Sequence, residues 1–299
     1  MPFPVLPISL ISLLFISACA PQVKVDETNR HNFPILVGEN DRRTLQQYAD
    51  QIDVAKSEVQ TMFAATGRIE CPWTIASANL VVKNNLIATN AHVLLDRKGV
   101  AKGDPQLCQV VFETSEGRQT IELSSTLIAG HTELEERATS AQDWAVVQLA
   151  RPVEGVKPYK ISYDSSPIAP KSRSQFDRQW HVQVVAAGHG DWPTENGASP
   201  NRVKSISDCT IRGITWPNHE LNRDGVRALR SDCDTGPGAS GGAYLHEFRG
   251  EPNLFGLIAG VPRKAKLGRH AYEIGKHDAR GVLVSGKFLQ AIKLLASRS

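Results

Sequence analysis

The chain has 299 residues, of which 41% are hydrophobic and 22% charged, an ordinary globular composition that argues against a disordered chain. Its 34 Lys and Arg against 31 Asp and Glu leave a net charge of +3, too balanced for a surface that wraps a polyanion, so no nucleic-acid partner is expected. Five cysteines are too few to build a scaffold of this length from disulfides, and their odd number leaves one sulfur unpaired.

The first predicted element is an apolar stretch from Val5 to Ala18, interrupted by Pro7 and free of charged side chains. It is too short to span a bilayer comfortably. At the extreme N-terminus and ending in small residues, it reads as a secretory signal over residues 1–18, so the mature chain is expected to be exported. Two processing routes are open. Ala18-Cys19-Ala20 fits ordinary cleavage after Ala20, which would release a secreted protein. Ile16-Ser17-Ala18-Cys19 resembles the bacterial lipobox, in which cleavage precedes a cysteine that becomes lipidated. The second route is preferred, and it places the protein in the bacterial cell envelope with a lipid anchor at Cys19 as its only membrane contact. Residues 19–40 are polar and without apolar periodicity, a solvated tether.

From Asp41, an N-cap candidate, apolar residues recur at Leu45, Tyr48, Ile52, Ala55, Val59 and Met62, which predicts one amphipathic helix over residues 41–66. From Arg68 onward, short apolar runs are separated by Gly, Asn, Asp and Pro. They are Asn79 to Val82, Leu86 to Thr89, Gln109 to Glu113, Thr120 to Ile128, Trp144 to Leu149, Val182 to Ala187, Val203 to Ile214, Gly241 to Leu245, Leu254 to Val261 and Val282 to Val284. Strands at this density predict an all-β sandwich or barrel rather than βαβ units. Phe288, Ile292 and Leu295 then put an apolar stripe on a C-terminal helix over residues 286–297.

Three short segments carry candidate chemistry. Cys233-Asp234-Thr235-Gly236-Pro237-Gly238-Ala239-Ser240-Gly241-Gly242 sets a serine inside a glycine-rich turn, whose backbone can aim N–H groups inward at a developing oxyanion. Leu86-Ile87-Ala88-Thr89-Asn90-Ala91-His92 ends an apolar strand on a histidine, and Asp143 opens the run Trp144 to Leu149. A serine hydroxyl needs a neutral imidazole to take its proton, and the imidazole needs a carboxylate to hold its tautomer. The chain supplies these groups in the order His92, Asp143, Ser240. No C-x-x-C or H-E-x-x-H spacing occurs and the nine histidines are scattered, so neither a metal nor a cofactor is expected.

These motifs resemble those of chymotrypsin-fold, trypsin-like serine peptidases, closest to the bacterial glutamyl-endopeptidase-like and trypsin-like branch. Thr89-Asn90-Ala91-His92 is similar to the family's Thr-Ala-Ala-His, Asp143-Trp144-Ala145-Val146-Val147 to Asp-Ile-Ala-Leu-Leu, and Gly238-Ala239-Ser240-Gly241-Gly242 to Gly-Asp-Ser-Gly-Gly. Val184 to Gly190 is similar to the strand that opens the family's second barrel.

The resemblance implies two six-stranded antiparallel barrels within residues 67–299, meeting at about 155–180, with His92 and Asp143 on the first and Ser240 on the second. It implies Ser240 as nucleophile, His92 as general base and acid, Asp143 as its orienting carboxylate, and the N–H groups of Gly238 and Ser240 as an oxyanion hole. A polypeptide substrate follows, and a monomer is expected. The alternative is a catalytically silent barrel pair that serves as a binding or scaffolding module.

Ala239 stands where trypsin-like zymogens carry the aspartate that receives a newly cut N-terminus, so competence without internal cleavage is expected. Asp234, six residues before Ser240, matches the spacing of the aspartate that selects Arg and Lys in trypsin. In the bacterial branch, however, that aspartate need not face the pocket. Gly256 to Val261, on the other pocket wall, offers no histidine and gives glutamyl specificity no support. The four cysteines beyond Cys19 allow three pairings. Cys71 with Cys108 and Cys209 with Cys233 is the expected set, one bridge flanking His92 and one bracing the serine turn.

Overall fold

Short half-apolar strands leave unpaired edges unless a sheet closes on itself, and this chain closes two. The computed structural model describes residues 35–96, 98–130, 140–161, 180–189, 203–214, 224–248, 250–260, 268–273 and 276–298. All belong to one unit, His31–Ser299. The expected signal segment, Cys19 and most of the expected tether lie outside the described residues, as does much of the expected boundary between barrels.

The described chain begins with β1 (Ile35–Val37) and β2 (Arg43–Thr44), followed by α1 (Leu45–Ile52) and α2 (Lys56–Met62). The first barrel is built from β3 (Thr66–Cys71), β4 (Thr74–Val81), β5 (Lys83–Thr89), β6 (Gln109–Thr114), β7 (Gly117–Ala129) and β8 (Ala145–Leu149). It closes in the order β3-β4-β5-β8-β7-β6, and a single helical turn, α3 (Ala91–Leu94), leaves the end of β5. After β9 (Lys160–Ile161) come β10 (Trp180–His189), β11 (Val203–Ile214), β12 (Ala228–Ser231), β13 (Ala243–Phe248), β14 (Glu251–Gly260), β15 (Gly268–His270) and β16 (Ala279–Leu283). The second barrel runs β10-β13-β14-β16-β12-β11 and closes by pairing β10 with β11, from Trp180 opposite Ile211 to Ala186 opposite Ser205. The chain ends in α4 (Gly286–Arg298).

Both interiors are filled by strand residues of one face, as the period of two requires. Phe112, Ile69, Leu80, Leu86, Ile121 and Leu123 are buried in the first barrel. Tyr244, Phe255, Ile211, Leu229 and Ile258 fill the second, and the Tyr244 hydroxyl shares a 2.8 Å hydrogen bond with Ser231 Oγ, which satisfies its buried polar end. Phe288, Ala291, Ile292 and Leu295 of α4 are buried, as their spacing predicts.

The single helix expected over residues 41–66 is corrected by the structure. The helix begins at Leu45, capped not by Asp41 but by Thr44, whose side chain accepts from Gln47 N–H while Gln47 reaches back to Thr44 N–H. It stops at Asp53, which adopts a left-handed conformation (φ 56°) and sends its N–H back to Ala49 O. A second helix then starts at Lys56, and Thr66 already belongs to β3. The apolar repeat runs through the break, so periodicity alone does not reveal it. Burial does: Tyr48 and Val59 are buried, whereas Ile52 and Met62 are 38% and 39% exposed.

Candidate active site

His92 sits in α3, where the chain leaves the end of β5 in one helical turn. Asp143 follows the 3-10 turn Ser140–Gln142 and precedes β8, the strand hydrogen-bonded to β5 from Thr89 opposite Ala145 to Leu86 opposite Gln148. Strand pairing therefore delivers both residues to the same end of the first barrel. The Asp143 carboxylate grips His92 twice: Oδ1 accepts the His92 backbone N–H at 2.9 Å and Oδ2 lies 2.7 Å from Nδ1. Asn90 Nδ2 donates to the Asp143 carbonyl at 2.7 Å and fixes the backbone that carries the carboxylate. The His92 side chain remains 43% exposed, against 17% for Asp143, so its other edge faces outward. Burial disfavours the imidazolium, but the charge and hydrogen bond of Asp143 outweigh it against a small opposing effect of Lys102, and the pKa of His92 is raised above its ordinary 6.5. Lys102 Nζ donates to the His92 carbonyl at 2.6 Å.

Ser240 comes from the second barrel and is tied to the first through β4. Ser77 N–H donates to the Ser240 carbonyl at 2.7 Å. Ser77 Oγ donates to Gly238 O at 3.0 Å and accepts from Ala187 N–H and Gly188 N–H at 2.9 and 3.2 Å. Asn79 Nδ2 donates to Gly241 O, and Thr89 Oγ1 to Ser77 O, both at 2.7 Å. Thr89 is three residues before His92, so these bonds bring the serine turn to the strand end that carries the histidine.

Gly238 has φ +87° and an added Cβ would lie 1.8 Å from Gly188 O, so only glycine fits. Within the turn, Ala239, Gly241 and Gly242 donate their N–H groups to Gly236, Ile258 and Ala239 carbonyls. The N–H groups of Gly238 and Ser240 meet no backbone acceptor among the described residues. Sequence reasoning missed Ser77 and Asn79. Their only signal was two polar residues inside an otherwise apolar run, and both are fully buried.

Residues 76–253 match the family model of the trypsin-like peptidase domain. The chain belongs to that family. The matched stretch of this trypsin-like peptidase runs from β4 into β14 and contains His92, Asp143 and Ser240. Its fold is similar to that of a solved structure described as Glu endopeptidase in complex with MPD, with a TM-score of 0.59 and 14% sequence identity over 88% of this chain and 100% of the other. No curated protein sequence matches significantly.

Both expected bridges of the peptidase are present. Cys71 joins Cys108 beside the paired strands β3 and β6, and Cys209 of β11 joins Cys233 at the entrance to the serine turn. Asp234 follows directly and is 3% exposed. Its two oxygens accept backbone N–H groups from the N-terminal segment, Oδ1 from Val37 at 2.8 Å and Oδ2 from Asp41 at 2.7 Å. Burial outweighs those bonds and the nearby Arg42 charge and pushes the carboxyl up to about 6.

Proposed function

We propose that the chain is a serine endopeptidase working through His92, Asp143 and Ser240, and that it is exported and anchored to a membrane by a lipid on Cys19. The observation that carries the catalytic reading is the double grip of Asp143 on His92, at 2.9 and 2.7 Å. A carboxylate bonded to Nδ1 holds the proton there and leaves Nε2 as a base.

In the proposed cycle, Ser240 Oγ attacks the scissile carbonyl carbon and its proton passes to His92 Nε2. The carbonyl oxygen becomes an oxyanion that takes the N–H bonds of Gly238 and Ser240. Collapse breaks the C–N bond, and His92 returns the proton to the leaving amine. Water then repeats the sequence on the acyl-Ser240 ester, with His92 again as base, and releases the acid. Asp143 keeps its hydrogen bond to Nδ1 and stabilises the transient imidazolium. Ala239 offers no carboxylate beside Ser240 to a freed N-terminus, which supports activity without internal cleavage.

Labelling the full-length protein with a fluorophosphonate tests the reading. Modification at Ser240 is expected, absent in Ser240→Ala and strongly slowed in His92→Ala with the fold intact. No labelling of the folded protein, or labelling indifferent to His92, overturns it in favour of a catalytically silent module. Mass spectrometry of the mature N-terminus tests the anchor: an acylated Cys19 is expected, and an unacylated chain starting beyond it refutes the lipid.

A further inference from the structure

The N-terminal segment from Ile35 to Thr44 is tied down at both ends. At one end β1 pairs in parallel with β15, Ile35 opposite Gly268 and Val37 opposite His270, and Gly38 N–H donates to His270 O at 2.9 Å. At the other, Arg43 and Thr44 of β2 pair with Ile206 and Ser205 of β11. Between these ends the backbone bends at Gly38, φ +81°, and wraps the Asp234 carboxylate, which receives Val37 N–H and Asp41 N–H. The two donors stand 197 and 193 residues from their acceptor, so the clasp is purely tertiary.

We propose that residues 37–41 are an internal strap that holds the Ser240 turn in its working shape, with Asp234 as the positioning residue that anchors it and not as a receptor for a basic P1 side chain. The catalytic part of this inference rests on the serine peptidase reading; the clasp itself does not.

Two physical arguments carry it. A carboxylate that recognises a substrate guanidinium or ammonium must present free lone pairs to the pocket. Asp234 is 3% exposed and each of its oxygens already accepts one internal amide, so it presents little to a pocket; the Arg42 cation, itself 5% exposed, acts on the same carboxylate and would repel a second cation.

The second argument concerns how the turn is held. From Cys233 to Gly242 its only carboxylate is Asp234. The far end is fastened by Ser77 and Asn79 to Gly238, Ser240 and Gly241, and the near end by the Cys209–Cys233 bridge and the strap. With both ends fixed, the donors at Gly238 and Ser240 are oriented before substrate arrives, and preorganisation of this kind acts on turnover more than on binding. Ala239 beside the serine is apolar and fully buried, so the clasp on Asp234 is the one carboxylate contact that holds this turn among the described residues.

The test uses the full chain, with hydrogen exchange for the clasp and peptides carrying Arg, Leu or Ala at P1 for its consequence. In the wild type the Val37 and Asp41 amides are expected to be protected, with no more than about threefold preference for Arg. Asp234→Ala should expose both amides and lower kcat about tenfold or more on all three peptides alike, with KM changed less than about threefold. Asp234→Asn keeps one acceptor oxygen but sets an NH2 against the other backbone N–H, so it should recover only part of the rate. Asp41→Pro deletes one donated N–H while leaving Asp234 in place and should lower kcat in the same way, so the proposal stays testable even if Asp234→Ala does not fold. Unprotected Val37 and Asp41 amides in the wild type overturn the proposal. So does an Arg preference that Asp234→Ala removes while Leu and Ala cleavage is untouched. A wild type that never reacts with fluorophosphonate refutes the peptidase reading, and the exchange data then judge the clasp on their own.

Discussion

The indole of Trp144 lies stacked on the ring of Phe288, with centroids 5.1 Å apart and planes 17° from parallel. Trp144 is the residue after Asp143, so the C-terminal helix bears directly on the segment that carries the carboxylate. Phe288 is fully buried, and Phe288→Ala should cost about 3–5 kcal/mol of stability by urea unfolding. The same substitution should reduce kcat at temperatures where the protein remains folded, because the support behind Asp143 is lost. Phe288→Leu, which leaves a smaller void, should do less of both.

The pH dependence follows from the sign of the His92 shift. The proposed cycle requires neutral His92, and Asp143 raises its pKa above 6.5, so kcat/KM should fall as pH drops, with a midpoint above 6.5. Asp143→Asn removes both raising effects; the midpoint should move down while kcat drops by about 10⁴. Lys102 opposes protonation, so Lys102→Met should move the midpoint up. Peptide hydrolysis measured from pH 5 to 9 checks all three.

Ser77→Ala tests the bolt between the barrels. The hydroxyl makes three bonds, to Gly238 O and from Ala187 N–H and Gly188 N–H. Its loss strands buried backbone groups at a cost of about 1–3 kcal/mol. Since Gly238 bears one proposed oxyanion donor, the fluorophosphonate rate should fall while peptide KM changes little.

The two disulfides should separate stability from activity. They close loops of 37 and 24 residues, for which the chain-entropy estimate is about 3–4 kcal/mol each. Replacing either pair by alanine should therefore lower the thermal midpoint similarly. Loss of Cys209–Cys233, adjacent to Asp234, should slow Ser240 labelling more than loss of Cys71–Cys108.

Most strands of both barrels were legible because their runs are apolar and bounded by turn residues; Val203 to Ile214 coincides with β11 end to end. Two were not. β3 overlaps the expected helix only at Thr66, and the rest of it, Gly67-Arg68-Ile69-Glu70-Cys71, places Ile69 between two charged residues and forms no apolar run. β12 reads Ala228-Leu229-Arg230-Ser231, too short and too charged to stand out; its Arg230 is partnered by Asp278 at 2.7 Å, a residue 48 positions away. The helix break at Asp53 escaped for the opposite reason, because the apolar repeat continued across it.

Local sequence determined the elements and the chemistry available to this protein: strand periods, the apolar face of α4, and the residue types at His92, Asp143 and Ser240 all express near-neighbour physics. Tertiary structure alone decided what those residues touch. Barrel closure joins β10 to β11 and β3 to β6, the bonds of Ser77 and Asn79 reach more than 100 residues along the chain, and Asp234 meets its partners almost 200 residues upstream. A carboxylate six residues before a serine has the same spacing whether it faces a substrate pocket or a strap. Only the amides of Val37 and Asp41, brought to it by folding, distinguish the two.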